Sequence, residues 1–432
     1  ELANVEYWSH IMRKRAICRG DLACITCNQR VCQNALNIVV STIPHNAKMS
    51  HESKGVLGQN KSPSEVLTTQ DLLASIRSLK LNKSPGPDGL PIEFYELLCE
   101  KPNRCQKFTK WLKSIFVQSY MSGKLPSHMR KSQIRLIYKK EAEEDKKYTK
   151  NYRPIALLNV DYKILSKTLA NILVDTLPDI INEDQFCMKN RFIGDLIQQI
   201  VGIANYQRAE NKPGFLAMLD FEKAFDSVNH EFTFKIMEAF GIPKEFIKWA
   251  SLAFIDTQAC CIINGKRSKY FDLPGGGRQG DNLYPLIFTI VVQALNHLIH
   301  DTNSHGIQLP NGTIKRIGQY ADDSTLMGSC IQDYNEYKKA LQTFQYASGM
   351  RINWDKSFII WLGPFSSNPP ILDPHDRIKQ LTLNSKLRVL GVDLGHVQDQ
   401  HQGWLKLKDQ LYRTINSGMN KCGNQIGDTI SI

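Results

Sequence analysis

Three aspartates occupy positions where an uncompensated carboxylate is costly. Phe215-Leu216-Ala217-Met218-Leu219 is an apolar, strand-like run that ends in Asp220. Further along, Ile317-Gly318-Gln319-Tyr320 and Ser324-Thr325-Leu326-Met327 flank Ala321-Asp322-Asp323, the pattern of a hairpin with paired acids at its tip. An Asp-Asp pair is also ordinary turn composition, but a third strand-end acid upstream shifts the balance towards chemistry. Carboxylates held close repel one another and raise each other's proton affinity unless a cation sits among them. Hard oxygen ligands in a water-accessible site suit Mg2+. Two such ions can orient a hydroxyl nucleophile, lower its pKa and stabilise departing phosphate oxygens.

The flanking sequence supplies elements to hold these acids. Leu286 to Ile299 is apolar but interrupted by Thr289, Gln293, Asn296 and His297, which predicts a buried helix and excludes a membrane span. A helix is expected from Ser64, with Leu67, Leu72, Leu73, Ile76 and Leu79 at helical spacing. It must stop at Lys83-Ser84-Pro85-Gly86-Pro87-Asp88-Gly89. Gln133 to Tyr138 alternates like a strand and runs into Lys139-Lys140, and Glu141 to Lys150 reads as an exposed turn. Residues 1–61 read as an N-terminal extension or linker. Phe221 to Asp226 begins to look helical.

The chain has 432 residues, 42% hydrophobic and 22% charged, which excludes a mainly disordered, collagen-like or disulfide-scaffold protein. With 54 Lys+Arg against 42 Asp+Glu the formal charge is +12, which favours a polyanionic partner. The densest basic stretch, Lys101 to Lys167, holds 17 Lys/Arg against 5 acids and suits contact with phosphates, although a solvated face has the same composition. The 11 cysteines are scattered apart from Cys18, Cys24, Cys27 and Cys32. Free thiols in a reducing, intracellular setting (cytoplasmic or nuclear) are favoured over a structural Zn2+ at those four, because no second ligand pair follows. There is no signal peptide pattern, and Glu1 reads as the start of a fragment or processed product.

Taken together, the motifs resemble those of reverse transcriptases, specifically the non-LTR (LINE-type) retrotransposon branch. Asp220-x4-Phe225 and Tyr320-Ala321-Asp322-Asp323 resemble palm motifs A and C. Lys83 to Gly89 resembles an early fingers motif, and Asn151-Tyr152-Arg153-Pro154-Ile155-Ala156-Leu157-Leu158 a second fingers segment. Gly277-Arg278-Gln279-Gly280-Asp281 resembles motif B, Asn353-x-x-Lys356-Ser357 motif D, and Leu390-Gly391-Val392 motif E. The resemblance spans about residues 62 to 420, with the motifs in the family's order.

It implies an α+β, right-hand polymerase fold. Fingers and palm, the latter with an antiparallel sheet, would occupy 62–365; motif E and a truncated thumb would occupy 366–432. The implied reaction is RNA-directed DNA synthesis, with two Mg2+ ions (Mn2+ as substitute), an RNA template, a DNA primer, dNTPs and no membrane. Asp220, Asp322 and Asp323 would be metal ligands and catalytic, with Lys356 as general acid to the leaving pyrophosphate. Lys139, Arg153, Phe221, Phe225, Gln279 and Gly280 would contact the nucleotide, Phe225 as the ring under the sugar that selects deoxynucleotides. Leu390 and Gly391 would grip the primer.

Some positions depart from the family pattern. Asn282 and Tyr284 stand where Pro and Ser are usual, and Gly277 replaces a larger residue. Gln185-Phe186-Cys187-Met188-Lys189-Asn190-Arg191 lacks two usual glycines and is one residue short. Two other readings therefore stand beside the first. One is a decayed, non-catalytic nucleic-acid-binding remnant. The other is an RNA-dependent RNA polymerase, against which the aromatic Phe225 argues.

Overall fold

The computed structural model describes residues 29–138, 151–381, 387–389 and 392–394. The first part is helical: α1 (Gln29–Ser41), α2 (His51–Val56), α3 (Pro63–Val66), α4 (Thr69–Ser78), α5 (Ile92–Cys99) and α6 (Pro102–Ser122). Strands β1 (Lys131–Tyr138) and β2 (Tyr152–Leu158) follow, then α7 (Val160–Val174), α8 (Ile193–Ala209) and β3 (Gly214–Leu219). Next come α9 (Ala224–Ser227), α10 (His230–Ala239), α11 (Lys244–Ser251), β4 (Gln258–Ile263), β5 (Lys266–Arg267), β6 (Phe271–Asp272) and α12 (Tyr284–His300). The rest comprises β7 (Ile307–Gln308), β8 (Ile314–Lys315), β9 (Ile317–Tyr320), β10 (Asp323–Gly328), α13 (Ile331–Ser348), β11 (Phe358–Leu362), β12 (Lys379–Leu381), β13 (Leu387–Val389) and β14 (Val392–Leu394). This is a mixed α+β fold.

Two five-stranded sheets organise it. One has the order β2-β1-β4-β5 with β6 on β4; the other runs β12-β11-β3-β10-β9. All six residues of β3 are buried, as a strand covered on both faces requires. Its alternation assigns Phe215, Ala217 and Leu219 to the main core and Leu216 and Met218 to a second cluster with Leu196, Ile200 and Ile203 of α8. Phe215 is fully buried and meets Tyr334, Tyr337 and Trp361 edge to face at 6.0, 6.2 and 5.9 Å. Helix α12, expected as Leu286 to Ile299, lies in the core with even Gln293 and Asn296 at 0% exposure. Among the described residues no helix is long and apolar enough to cross a membrane.

Within the expected N-terminal extension or linker, residues 29–61 pack on the core: α1 buries Ala35, Leu36 and Val39 in the main core and lies against α13. The single helix expected from Ser64 is two, parted at an extended Leu67 (φ −108°, ψ 102°). Each has its own capping box, Ser62 with Glu65 and Thr68 with Asp71, so a helix start at Thr68 outcompetes continuation through it. The helix anticipated from Phe221 shrinks to the single turn α9, because Lys223 adopts a left-handed φ of 48°.

The aromatic cluster on β3 sets a stability expectation. Phe215→Ala should cost about 3–5 kcal/mol, read as a lower urea midpoint with an unchanged m-value. A cost below about 1 kcal/mol would mean that this strand is not the centre of the core.

Candidate active site

Asp220 follows β3 directly, and the pairing of Leu219 with Ser324 sets it across from Asp323 at the same end of the sheet. Asp323 in turn opposes Tyr320 across the β9–β10 turn, so Ala321 and Asp322 form the tip. Ala321 carries a left-handed φ of 53°, which costs a residue with a Cβ about 1–2 kcal/mol. Its N–H is held by Gln185 Oε1 at 3.1 Å. Gln185 is fully buried, and its Oε1 also accepts from the Cys187 N–H. Residues 184–186 run beside β9, with Gln319 N to Asp184 O and Phe186 N to Gln319 O both at 2.7 Å. Behind the turn, Gln319 donates to Ser324 Oγ (3.1 Å) and accepts from Asn296 of α12 (3.1 Å).

Asp220 is pinned from its other side. Its N–H donates to Ser357 Oγ (3.1 Å), and its carbonyl accepts from Asn353 N (2.7 Å). Ser357 is fully buried and donates to Asn353 O at 2.9 Å. The same turn carries Lys356, whose Nζ stands 3.6 Å from Asp220 Oδ2 with its side chain 70% exposed. An exposed pair of this kind adds about 0–1 kcal/mol and leaves the ammonium mobile. Asp220, Asp323, Lys356, Asp355 and Lys379 line an open cleft of about 460 Å3.

The electrostatics follow from the geometry. Burial pushes the Asp322 carboxyl above the usual range, and the charge on Asp220 adds to that. Asp323 is pushed up to about 6 by burial and then by the charges of Asp322 and Asp220. Hard oxygen donors that repel one another beside a water-accessible cleft are the donor set a divalent cation stabilises.

The nucleotide-contacting residues expected from the motifs divide. Arg153 is exposed on β2, opposite Ile137 of β1. Gln279 accepts the Ala156 N–H of that strand through its main-chain oxygen (2.8 Å). Gly280, at φ 117°, passes so near that a Cβ would lie 2.8 Å from Ala156 O. Strand β2 and the motif B loop thus share one surface, beside a cavity of about 50 Å3 lined by Ile134, Pro154, Ala156, Asp226 and Gln279. Phe225 is half-buried and stacks on Phe288 at 4.5 Å. Phe221 is 5% exposed, lies in the main core and bridges to Ile352. Its ring is unavailable to a nucleotide, which corrects that expectation.

Arg278 and Asp281 of motif B serve the fold. Arg278 donates to Met129 O (3.1 Å) and lies over the Tyr162 ring at 3.9 Å. Asp281 accepts from Ser166 Oγ (2.6 Å), the Tyr162 hydroxyl and the N–H groups that start α12. Lys139, Leu390 and Gly391 fall outside the described residues, as do Cys18, Cys24 and Cys27; β13 and β14, on either side of the motif E position, pair antiparallel.

The roles of Ser357, Asn353 and Gln185 were not assigned from sequence. Their motif membership was the only available signal, since each acts on a backbone amide or carbonyl far along the chain. His305, Cys330 and Asp333 also converge within 4.8 Å, but the Asp333 carboxylate already accepts from the N–H groups of His305, Gly306 and Ser329 at the start of α13.

A pH-dependent response to metal follows. Because Asp322 and Asp323 hold protons more tightly in the fold than in the unfolded chain, ionising them as pH rises from about 4 past about 6 costs metal-free stability. Asp323 keeps solvent contact, so only part of its shift transfers. Mg2+ should therefore raise the thermal midpoint more near pH 7.5 than near pH 5, and Asp322→Asn should erase the difference. Equal shifts at both pH values would count against a carboxylate cation site.

A reverse transcriptase (RNA-dependent DNA polymerase) family profile matches residues 137–394. The chain is 27% identical over 293 residues to the transposon TX1 uncharacterized 149 kDa protein of Xenopus laevis, covering 67% of this chain and 22% of that protein. It is 26% identical over 304 residues to the retrovirus-related Pol polyprotein from type-2 retrotransposable element R2DM of Drosophila melanogaster, covering 68% and 26%. It is 24% identical over 314 residues to the probable RNA-directed DNA polymerase from transposon BS of the same species, covering 71% and 32%. The chain spans about a quarter of the length of the first two relatives. With the profile covering more than half of its residues, and its similarity running to these transposon proteins, the chain belongs to the reverse transcriptase family, on the non-LTR retrotransposon branch.

Proposed function

We propose that this chain is the RNA-directed DNA polymerase portion of a non-LTR element, arranged as a right hand. The sheet of β1, β2 and β4 with the preceding helices forms the fingers, and the β3–β10 sheet forms the palm. Fingers and palm span 62–365, helices 29–61 pack on them, and 366–432 carries motif E and the start of a thumb. The observation that carries this reading is the convergence of Asp220, on the end of β3, with Asp322 and Asp323, on the β9–β10 turn, and Lys356 3.6 Å from Asp220.

Asp220, Asp322 and Asp323 would hold the divalent ions, Mg2+ or in its place Mn2+, which when bound would lower the pKa of the primer 3′-hydroxyl and neutralise charge building on the phosphates. The 3′-hydroxyl gives its proton to solvent, its oxygen bonds to the α-phosphorus, the bond from that phosphorus to the bridging oxygen breaks, and pyrophosphate leaves. Asp220 and Asp322 orient this centre from two backbone-pinned positions, with Asp323 beside them. In this reading Lys356 is the general acid to the leaving pyrophosphate, supported by its place 3.6 Å from Asp220 and its exposed side chain. Arg153, and Lys139 beyond the described residues, pair with the triphosphate. Gln279 and Gly280 lie along the base, Phe225 beneath the sugar, and Leu390 and Gly391 against the primer. The partners are an RNA template, a DNA primer and dNTPs, and the setting is intracellular.

Primer extension on poly(rA)/oligo(dT) tests the assignment. Asp322→Asn should lower kcat by at least about 10³-fold, as loss of several kcal/mol of metal-centred stabilisation requires. Wild type should prefer dTTP to UTP; preferential use of UTP would point to an RNA polymerase. No extension by either form, with equal and salt-sensitive RNA binding, would point to a non-catalytic remnant. Ser357→Ala strands the Asp220 amide and should cost about 1–3 kcal/mol of stability. It should also raise the Mg2+ concentration needed for half-maximal rate, whereas an unchanged Mg2+ requirement would mean that Ser357 does not position Asp220.

A further inference from the structure

Two of the departures in motif B touch each other. Tyr284, where the family usually has Ser, is 3% exposed at the start of α12. Its ring meets Phe225 edge to face at 5.7 Å and Phe254 at 5.8 Å. Gly277, where the family usually has a larger side chain, lies directly against it: a Cβ there would come within 2.1 Å of two Tyr284 ring carbons. That is far inside contact distance, and the ring cannot retreat between Phe225 and Phe254. Gly277 is not among the glycines with positive φ, so the backbone does not require glycine; the ring does. The Gly277 N–H also donates to the Phe225 carbonyl at 3.0 Å.

Both the backbone and the ring of Phe225 are therefore held by this pair, with Phe288 closing the far face (4.5 Å, 16° between planes). A serine at 284 would leave a void the size of a phenol beside Phe225, and a larger residue at 277 would refill it from the opposite side. The volume lost at one position is regained at the other, the kind of exchange a core tolerates best.

We infer that Tyr284 is a positioning residue for the sugar-facing ring of Phe225, and that Gly277 is the space Tyr284 requires, so the two departures are one compensated exchange that preserves deoxynucleotide selection. This rests on the reading of Phe225 as the ring beneath the nucleotide sugar. An edge-on Tyr284 and a stacked Phe288 fix the height and tilt of that ring, and a small tilt opens room for a 2′-hydroxyl. Selectivity, and not only stability, therefore depends on residue 284.

The measurement is kcat/KM for dTTP and for UTP on poly(rA)/oligo(dT), taken as a ratio, which is insensitive to the fraction of folded enzyme. Tyr284→Ser should reduce the dTTP preference about ten-fold, the scale on which apolar fit discriminates. Adding Gly277→Val to Tyr284→Ser should restore most of it, whereas Gly277→Val alone should lower yield and thermal midpoint. If Tyr284→Ser proves insoluble, Tyr284→Ala, which empties the same space without burying a hydroxyl, should show the same relaxed ratio. A wild-type ratio in Tyr284→Ser or Tyr284→Ala, with the ratio lost in Phe225→Ala, overturns the inference and leaves Tyr284 as filler. A double variant no more selective than Tyr284→Ser overturns the exchange. A wild-type ratio in Phe225→Ala removes the sugar-facing reading itself, and the inference with it.

Discussion

Like charges held together are the constraint around which this structure is arranged. Burial and neighbouring charge both oppose ionisation of Asp322 and Asp323, and with Asp220 beside them the three acids stay together because their backbones are held. Each is held by a different device. Asp220 is fixed at amide and carbonyl by Ser357 and Asn353. Asp322 sits on a turn whose left-handed Ala321 is tethered by Gln185. Asp323 is paired into the ladder opposite Tyr320. The wholly buried β3 and the aromatic ring system around Phe215 supply the stiffness against which these tethers act. The repulsion is concentrated where a cation can relieve it.

The parts legible in the sequence were those with local periodicity or punctuation. An apolar run ending in an acid, and two apolar segments around Asp-Asp, are short-range patterns, and β3 and the β9–β10 hairpin form where they occur. The pins are different in kind. Ser357 lies 137 positions from Asp220, and Gln185 lies 136 from Ala321. Each acts on a main-chain N–H, a group almost every residue has, so no pattern at the receiving end announces it. Helix α1 was obscured for another reason: Val31 and Ile38 are 44% and 49% exposed and blur the stripe formed by Ala35, Leu36 and Val39. The split near Leu67 turned on Thr68 and Asp71, whose capping box lies inside an apolar repeat that suggested continuity. Phe221 was misplaced because adjacency to Asp220 says nothing about which way a side chain faces, and its bridge to Ile352 turns it into the core.

The departures from the family pattern carry different weights once their neighbours are known. Gly277 and Tyr284 are sterically linked, since a Cβ at 277 would meet the Tyr284 ring. The altered Gln185 to Arg191 stretch keeps the one group its position requires, the Gln185 carboxamide under Ala321, and Arg191 donates to the Gln185 carbonyl at 2.6 Å. Asp281 and Arg278 keep the start of α12 and the motif B loop in place through Ser166, Tyr162 and Met129.

The motif B loop also closes a mechanical link. It is stitched to β2 through Gln279 and Gly280 at Ala156 and to α9 through Gly277 at Phe225. The surface that carries Arg153 is therefore connected, within a few hydrogen bonds, to the turn that follows Asp220.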